Sequence, residues 1–180
     1  MIYYTGDIHG STLEIVTFCM RFKPTKDDTI VILGDVGANY FGDFRDNKLK
    51  EAFSKLEPTI FCIHGNHEMR PWNIPTYKTK EWNGGTVWYE EKYPNILFAK
   101  DGEVFDIEGT KHLVIGGAYS VDKFYRLSRG YGWWEDEQPS EEIKWYVEQQ
   151  IKEKEFDVIL SHTCPLKYEP IETFLPGIDQ

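Results

Sequence analysis

Four apolar runs in this 180-residue chain are followed by residues of one chemical kind. Residues 2–5 lead into Gly6-Asp7-Ile8-His9-Gly10. Thr29-Ile30-Val31-Ile32-Leu33 leads into Gly34-Asp35. Thr59-Ile60-Phe61-Cys62-Ile63 leads into His64-Gly65-Asn66-His67-Glu68, and Phe156-Asp157-Val158-Ile159-Leu160 leads into Ser161-His162. Continuous β-branched runs of this kind suit strands buried on both faces. In an open α/β sheet the carboxyl ends of parallel strands converge on one crevice. Asp7, His9, Asp35, Asn66 and His162 are therefore expected to meet. Singly, an Asp-x-His reads as a turn and an Asn-His-Glu as a polar loop or cap. Their recurrence at four strand ends is what points to a site. Two carboxylates, two imidazoles and an amide oxygen form a mixed nitrogen and oxygen set, which suits Mn, Fe, Zn or Ni better than Ca. Gly6, Gly10, Gly34 and Gly65 fit sharp strand-end turns and close backbone approach.

The segments between these strands read mostly as helices. One starts at Ser11 or Thr12, where Glu14 completes a capping pattern. Another covers 46–56, with Leu49, Ala52, Phe53 and Leu56 at i, i+3, i+4 and i+7, and Pro58 ends it. This rhythm predicts a mainly parallel sheet with right-handed crossovers. From about 84 to 118 short runs alternate with Asn83-Gly84-Gly85, Asp101-Gly102 and Glu108-Gly109, which predicts antiparallel hairpins. Residues 119–139 read as a loop rich in glycine and aromatics. Ser140 opens a helix to about Glu155. The tail, with Pro165, Pro170 and Pro176, reads as irregular. The expectation is one α/β domain over 1–180.

Lys plus Arg number 20 and Asp plus Glu 30, a formal net charge of −10. That excludes the basic stripe of a long-nucleic-acid binder. A single phosphate remains open, because metal ions can supply positive charge. Cys19, Cys62 and Cys164 are odd in number and lack paired spacing, which predicts reduced thiols, with Cys62 and Cys164 as packing residues. No apolar run approaches the roughly 20 residues of a membrane span. Met1–Asp7 lacks signal architecture. The expectation is a soluble cytoplasmic protein with no membrane partner.

At these strand ends the sequence resembles the calcineurin-like metallophosphoesterase superfamily. Its pattern runs Asp-x-His, Gly-Asp, Gly-Asn-His-Asp/Glu, a lone His, and Gly-His-x-His. The resemblance covers residues 1–163. It implies two packed mixed β-sheets flanked by helices, an αββα sandwich, around a dinuclear centre. By this resemblance Asp7 and His9 bind one of two divalent metal ions, Asp35 bridges both, and Asn66 and His162 bind the other, with manganese favoured. His67 serves as general acid or stabilises the transition state, a part open to an imidazole that titrates near neutrality. The implied reaction is hydrolysis of phosphomonoesters or phosphodiesters by a metal-activated hydroxide. The implied substrate is a small phosphoester or a nucleotide.

Two departures stand out. Gly6-Asp7-Ile8-His9-Gly10 and Gly65-Asn66-His67-Glu68 look most like those of phosphoprotein phosphatases, but the two arginines that clamp phosphate there are replaced, one segment reading Ala38-Asn39-Tyr40 and the other His64. His64, Arg70 and Arg126 are the alternative substrate contacts, and the aromatics around Arg126 could stack a base. His112 reads as structural. No histidine follows His162, so the terminal Gly-His-x-His has no counterpart. Three readings stay open: a domain incomplete at its C-terminus, a naturally short enzyme with weak or lost activity, and a non-catalytic metal- or nucleotide-binding module. Each predicts an exposed sheet edge able to self-associate.

Overall fold

The computed structural model describes residues 1–168. Its elements run β1 (Ile2–Thr5), α1 (Leu13–Phe22), β2 (Thr29–Ile32), α2 (Asn47–Phe53), β3 (Thr59–Cys62), β4 (Lys78–Trp82), β5 (Gly85–Glu90), β6 (Tyr93–Ala99), β7 (Val104–Ile107), β8 (Thr110–Ile115), α3 (Lys123–Arg129), α4 (Glu141–Glu153) and β9 (Val158–Ser161). Short 3-10 turns lie at Phe44–Asp46, Pro71–Asn73 and Leu166–Tyr168. Pro170 and Pro176 of the predicted tail lie outside the described residues.

Two sheets form. The first has the order β1-β2-β3-β6-β5-β4 and the second β7-β8-β9. β1, β2, β3 and β6 pair parallel, while β5 and β4 add on antiparallel. In the second sheet β7 and β8 form a hairpin and β9 joins β8 in parallel. The chain thus has the two-sheet α/β architecture that the resemblance implies.

Strand periodicity explains why the central runs are apolar without a break. Alternate residues on a strand face opposite ways. Ile30, Ile32, Ile60, Cys62, Ile96 and Phe98 enter a core that also holds Ile15 of α1 with Leu49 and Phe53 of α2. Val31, Phe61, Ile63, Leu97 and Ala99 enter a second core with Phe105, Ile107, Val114 and Leu160 of the other sheet. One strand therefore seals two layers, and no position on it is left for a polar side chain until the strand ends.

Some boundaries differ from expectation. Thr12 precedes α1 but makes no side-chain capping bond. α2 stops at Phe53, before Pro58, and a 3-10 turn ends at Asp46, where its first residue was expected. β4 was not foreseen, since Lys78-Thr79-Lys80-Glu81-Trp82 is polar and lies at the sheet edge. The segment 119–139 contains α3. Ser140 caps α4 as expected, its Oγ accepting from the Ile143 N–H at 3.3 Å. The three cysteines are free thiols, but Cys164 is exposed, so only Cys62 is a buried packing residue.

Candidate metal centre

The five expected ligands come from the ends of β1, β2, β3 and β9. The first three strands neighbour one another in one sheet, whereas β9 belongs to the other. The site therefore lies at the seam between two sheets and not in the crevice of one.

Asp35 is the hub. It is 3% exposed and sits with φ at +45°, a conformation uncommon for a residue with a Cβ. Its carbonyl accepts the His9 N–H at 2.8 Å, and its Oδ1 accepts the His67 N–H at 2.8 Å. One residue thus fixes the loops after β1 and β3. Two glycines make room. A Cβ on Gly65 would lie 2.0 Å from Asp35 Oδ1, and a Cβ on Gly34, whose φ is +98°, would lie 2.0 Å from His162 Nδ1. Only glycine fits either place.

Two clusters of donor atoms share Asp35. His9, Asp35 and His67 form one and Asp7, Asp35 and His162 the other, with all donor atoms of a cluster within 4.8 Å of one another. His9 Nδ1 and His67 Nδ1 each lie 3.8 Å from Asp35 Oδ2. His162 Nδ1 lies 3.5 Å from Asp7 Oδ1, and its Nε2 lies 3.6 Å from Asp35 Oδ1. Asp7 also neighbours His9, Oδ2 to Nε2 at 3.8 Å. This grouping differs from the expected one by setting His67 beside His9 and drawing Asp7 toward His162.

Asn66 joins the second cluster by hydrogen-bond logic. His162 Nδ1 is 2.8 Å from the Leu33 carbonyl, which can only accept, so Nδ1 carries the proton. In the neutral ring Nε2 then offers a lone pair, 2.9 Å from Asn66 Oδ1, and in the doubly protonated ring it donates to that oxygen. That oxygen is an acceptor too, because Asn66 Nδ2 donates to Ser120 Oγ at 2.8 Å. Two lone pairs converging this closely repel unless a proton or a metal cation lies between them. The donor set therefore fits a metal ion, and an imidazole held by a backbone carbonyl through its other nitrogen is the usual form of a metal-binding histidine.

The calcineurin-like phosphoesterase family model matches residues 1–176. The chain belongs to that family. An uncharacterised protein of Acanthamoeba polyphaga mimivirus is 24% identical over 119 residues, covering 60% of this chain and 40% of that protein. The chain thus spans less than half the length of that relative.

The centre opens to a cavity of about 300 Å³, lined by His9, Gly10, Asp35, Gly37, Tyr40, Phe41 and His67. His67 Nε2 lies 3.9 Å from Asp122 Oδ1. Partial burial holds its imidazole below the ordinary value, and the charges of Arg126 and His9 act the same way against those of Asp35 and Asp122. Beneath the site Glu68 is fully buried and accepts the Val36 N–H at 3.3 Å. Burial first, then the charge of Asp35, raises its carboxyl to about 8.

The three expected substrate contacts fare unequally. Arg126 is 4% exposed and, like the other two, absent from the cavity wall; it donates from Nε to the Gly132 carbonyl at 2.7 Å, and its charge acts on His67. Arg70 is 1% exposed, and its Nη1 is 2.5 Å from Asp101 Oδ2 while its Nε donates to the Asp136 carbonyl. A guanidinium neutralised inside the fold has no charge to spend on a substrate, so Arg70 is a structural ion pair. His64 is buried at 3% exposure and is absent from the cavity wall. Burial first, then the charge of Arg70, drives its imidazole well below the ordinary value, so it is no cationic phosphate donor. His112 is structural as expected, fully buried with Nε2 2.7 Å from Tyr4 Oη. Tyr40 and Trp134 pack edge to face at 5.5 Å, so part of the aromatic segment is packing. Ser120, Asp122 and Glu137 were missed. Ser120 and Asp122 lie in an aromatic-rich segment and Glu137 in the acidic run Glu135-Asp136-Glu137, so no motif sets them apart and only the fold brings them to the site.

Proposed function

We propose that the chain hydrolyses phosphate esters at a centre of two divalent cations. The observation that carries this reading is the sharing of one buried carboxylate, Asp35, by two clusters of donor atoms. Asp7, His9, Asp35, Asn66 and His162 would hold the two ions between them, with Asp35 common to both and Mn²⁺ the favoured metal. Such a pair of ions activates water near neutral pH and offsets charge on the phosphoryl oxygens.

The chain's own residues complete the chemistry. His67 lines the cavity and is the candidate to donate a proton to the leaving oxygen or, as a neutral imidazole, to stabilise the transition state by a hydrogen bond. Arg126 is the candidate phosphate contact, since its charge already reaches His67. Tyr40 and Phe41 give the cavity an aromatic wall, which favours a small phosphoester with a planar group, such as a nucleotide. The free thiols of Cys19, Cys62 and Cys164 support a reducing, cytoplasmic setting. Among the described residues no helix is long and apolar enough to cross a membrane.

Turnover of a bis-aryl phosphate with added Mn²⁺ tests the reading. Asp35→Asn should lower it by more than about 100-fold, beyond the cost of losing an outer-shell partner. Turnover unchanged by Asp35→Asn would remove this centre as the place of the chemistry, and metal uptake with no turnover would replace the enzyme by a binding module.

A further inference from the structure

Asn66 can serve a cation only through Oδ1, and an amide flipped end for end would present Nδ2 instead. The structure holds the amide one way round. Asn66 Nδ2 donates to Ser120 Oγ at 2.8 Å, and Ser120 Oγ donates to Glu137 Oε2 at 2.5 Å. Glu137 Oε1 also accepts the Ser120 backbone N–H at 3.1 Å. Asn66, Ser120 and Glu137 are all buried, at 8%, 1% and 3% exposure, so water does not substitute for these bonds. The chain of bonds has a direction. Both Glu137 oxygens accept from Ser120, one the backbone N–H and the other the hydroxyl, so the hydroxyl proton is committed to Glu137. The serine oxygen is then left to accept, and only Nδ2 can donate to it. Oδ1 is thereby aimed at His162 Nε2, 2.9 Å away.

We infer that Ser120 and Glu137 are positioning residues that set the amide polarity of Asn66 and so complete one of the two cation sites. The inference rests on the proposed dinuclear centre. It also makes a prediction that packing does not. In Glu137→Gln, the glutamine oxygen must still take the Ser120 N–H, because a backbone N–H cannot accept. Its NH₂ then points at Ser120 Oγ, and the hydroxyl proton turns toward residue 66. An asparagine there must flip to receive it, whereas an aspartate would receive it on one oxygen and keep the other for the cation.

The test is a double-substitution cycle of Mn²⁺ binding, followed by titration calorimetry on the full chain, with thermal unfolding alongside. Glu137→Gln should weaken one class of Mn²⁺ site by about 10–100-fold, the usual cost of an outer-shell partner. In an Asn66→Asp background the same substitution should cost less than about 2-fold. Ser120→Ala should weaken the same class of site with Asn66 in place. A Glu137→Gln loss of equal size in both backgrounds would overturn the inference, since a packing defect does not depend on the identity of residue 66. So would Mn²⁺ affinity unchanged by Glu137→Gln. Wild-type protein that takes up no Mn²⁺ would instead remove the dinuclear centre, and the positioning role with it.

Discussion

Single residues decide whether the donor atoms meet. His9 and Asp35 adopt φ of +43° and +45°, paired by the bond from His9 N–H to the Asp35 carbonyl. Strain of this kind persists where surrounding contacts over-determine it. Gly34 is the clearest case of a residue required by its neighbour. Gly34→Ala would place a methyl group on the His162 ring and hold alanine at φ +98°. The expected result is a loss of more than about 1 kcal/mol in folding stability by chemical denaturation, together with weaker Mn²⁺ binding through displaced His162. A variant of unchanged stability and metal affinity would show that His162 is not seated as described. Gly34, Asp35, Gly65 and Asn66 were legible in the sequence because each sits where a strand stops. Ser120 and Glu137 were not, because nothing near them in the chain marks their job. Arg70 and His64 misled for a related reason. Their position beside the Asn66-His67 motif suggested the site, but Asp101, more than 30 residues on, claims Arg70 and the fold buries His64.

Elements set the reach of these residues. β2 and β3 were readable as strands because both faces of each enter a core, which leaves unbroken apolar runs. β4 was unreadable because an edge strand has no such demand, and Lys78, Thr79 and Glu81 remain exposed on it. α3 was missed because its Phe124, Tyr125 and Leu127 are exposed, so it shows no buried stripe. The start of β2 is anchored electrostatically. Asp28 Oδ2 accepts from the Thr25 N–H and hydroxyl at 2.6 and 3.0 Å, and Oδ1 pairs with the terminal ammonium of Met1 at 2.7 Å. The bond from that ammonium, then those from Thr25, depress the Asp28 carboxyl to about 2. A carboxyl lowered on folding adds stability that is full above its unfolded value and is lost as pH falls toward the folded one. Asp28→Asn should therefore melt below the wild type at pH 6. That gap should close as pH falls from about 4 to about 2. A gap independent of pH would assign the effect to side-chain geometry and not to charge.

At the scale of the whole molecule, the centre sits where two sheets meet. The core holding Val31, Phe61 and Ile63 against Phe105, Val114 and Leu160 clamps the sheets together. That clamp carries His162, at the end of β9, to Asp35, at the end of β2. From the runs alone a single crevice was the natural expectation. Burial on both faces cannot say whether the second face meets a helix or another sheet, and the two-sheet form came only from resemblance. The account stands on one claim, that Asp35 joins two cation sites across this seam. The most direct measurement is the Mn²⁺ content of purified protein after equilibration and rapid desalting, with Asp35→Asn in parallel. Uptake of two ions by the wild type and less than one by Asp35→Asn is the predicted result. No uptake by the wild type, or equal uptake by both, would contradict it.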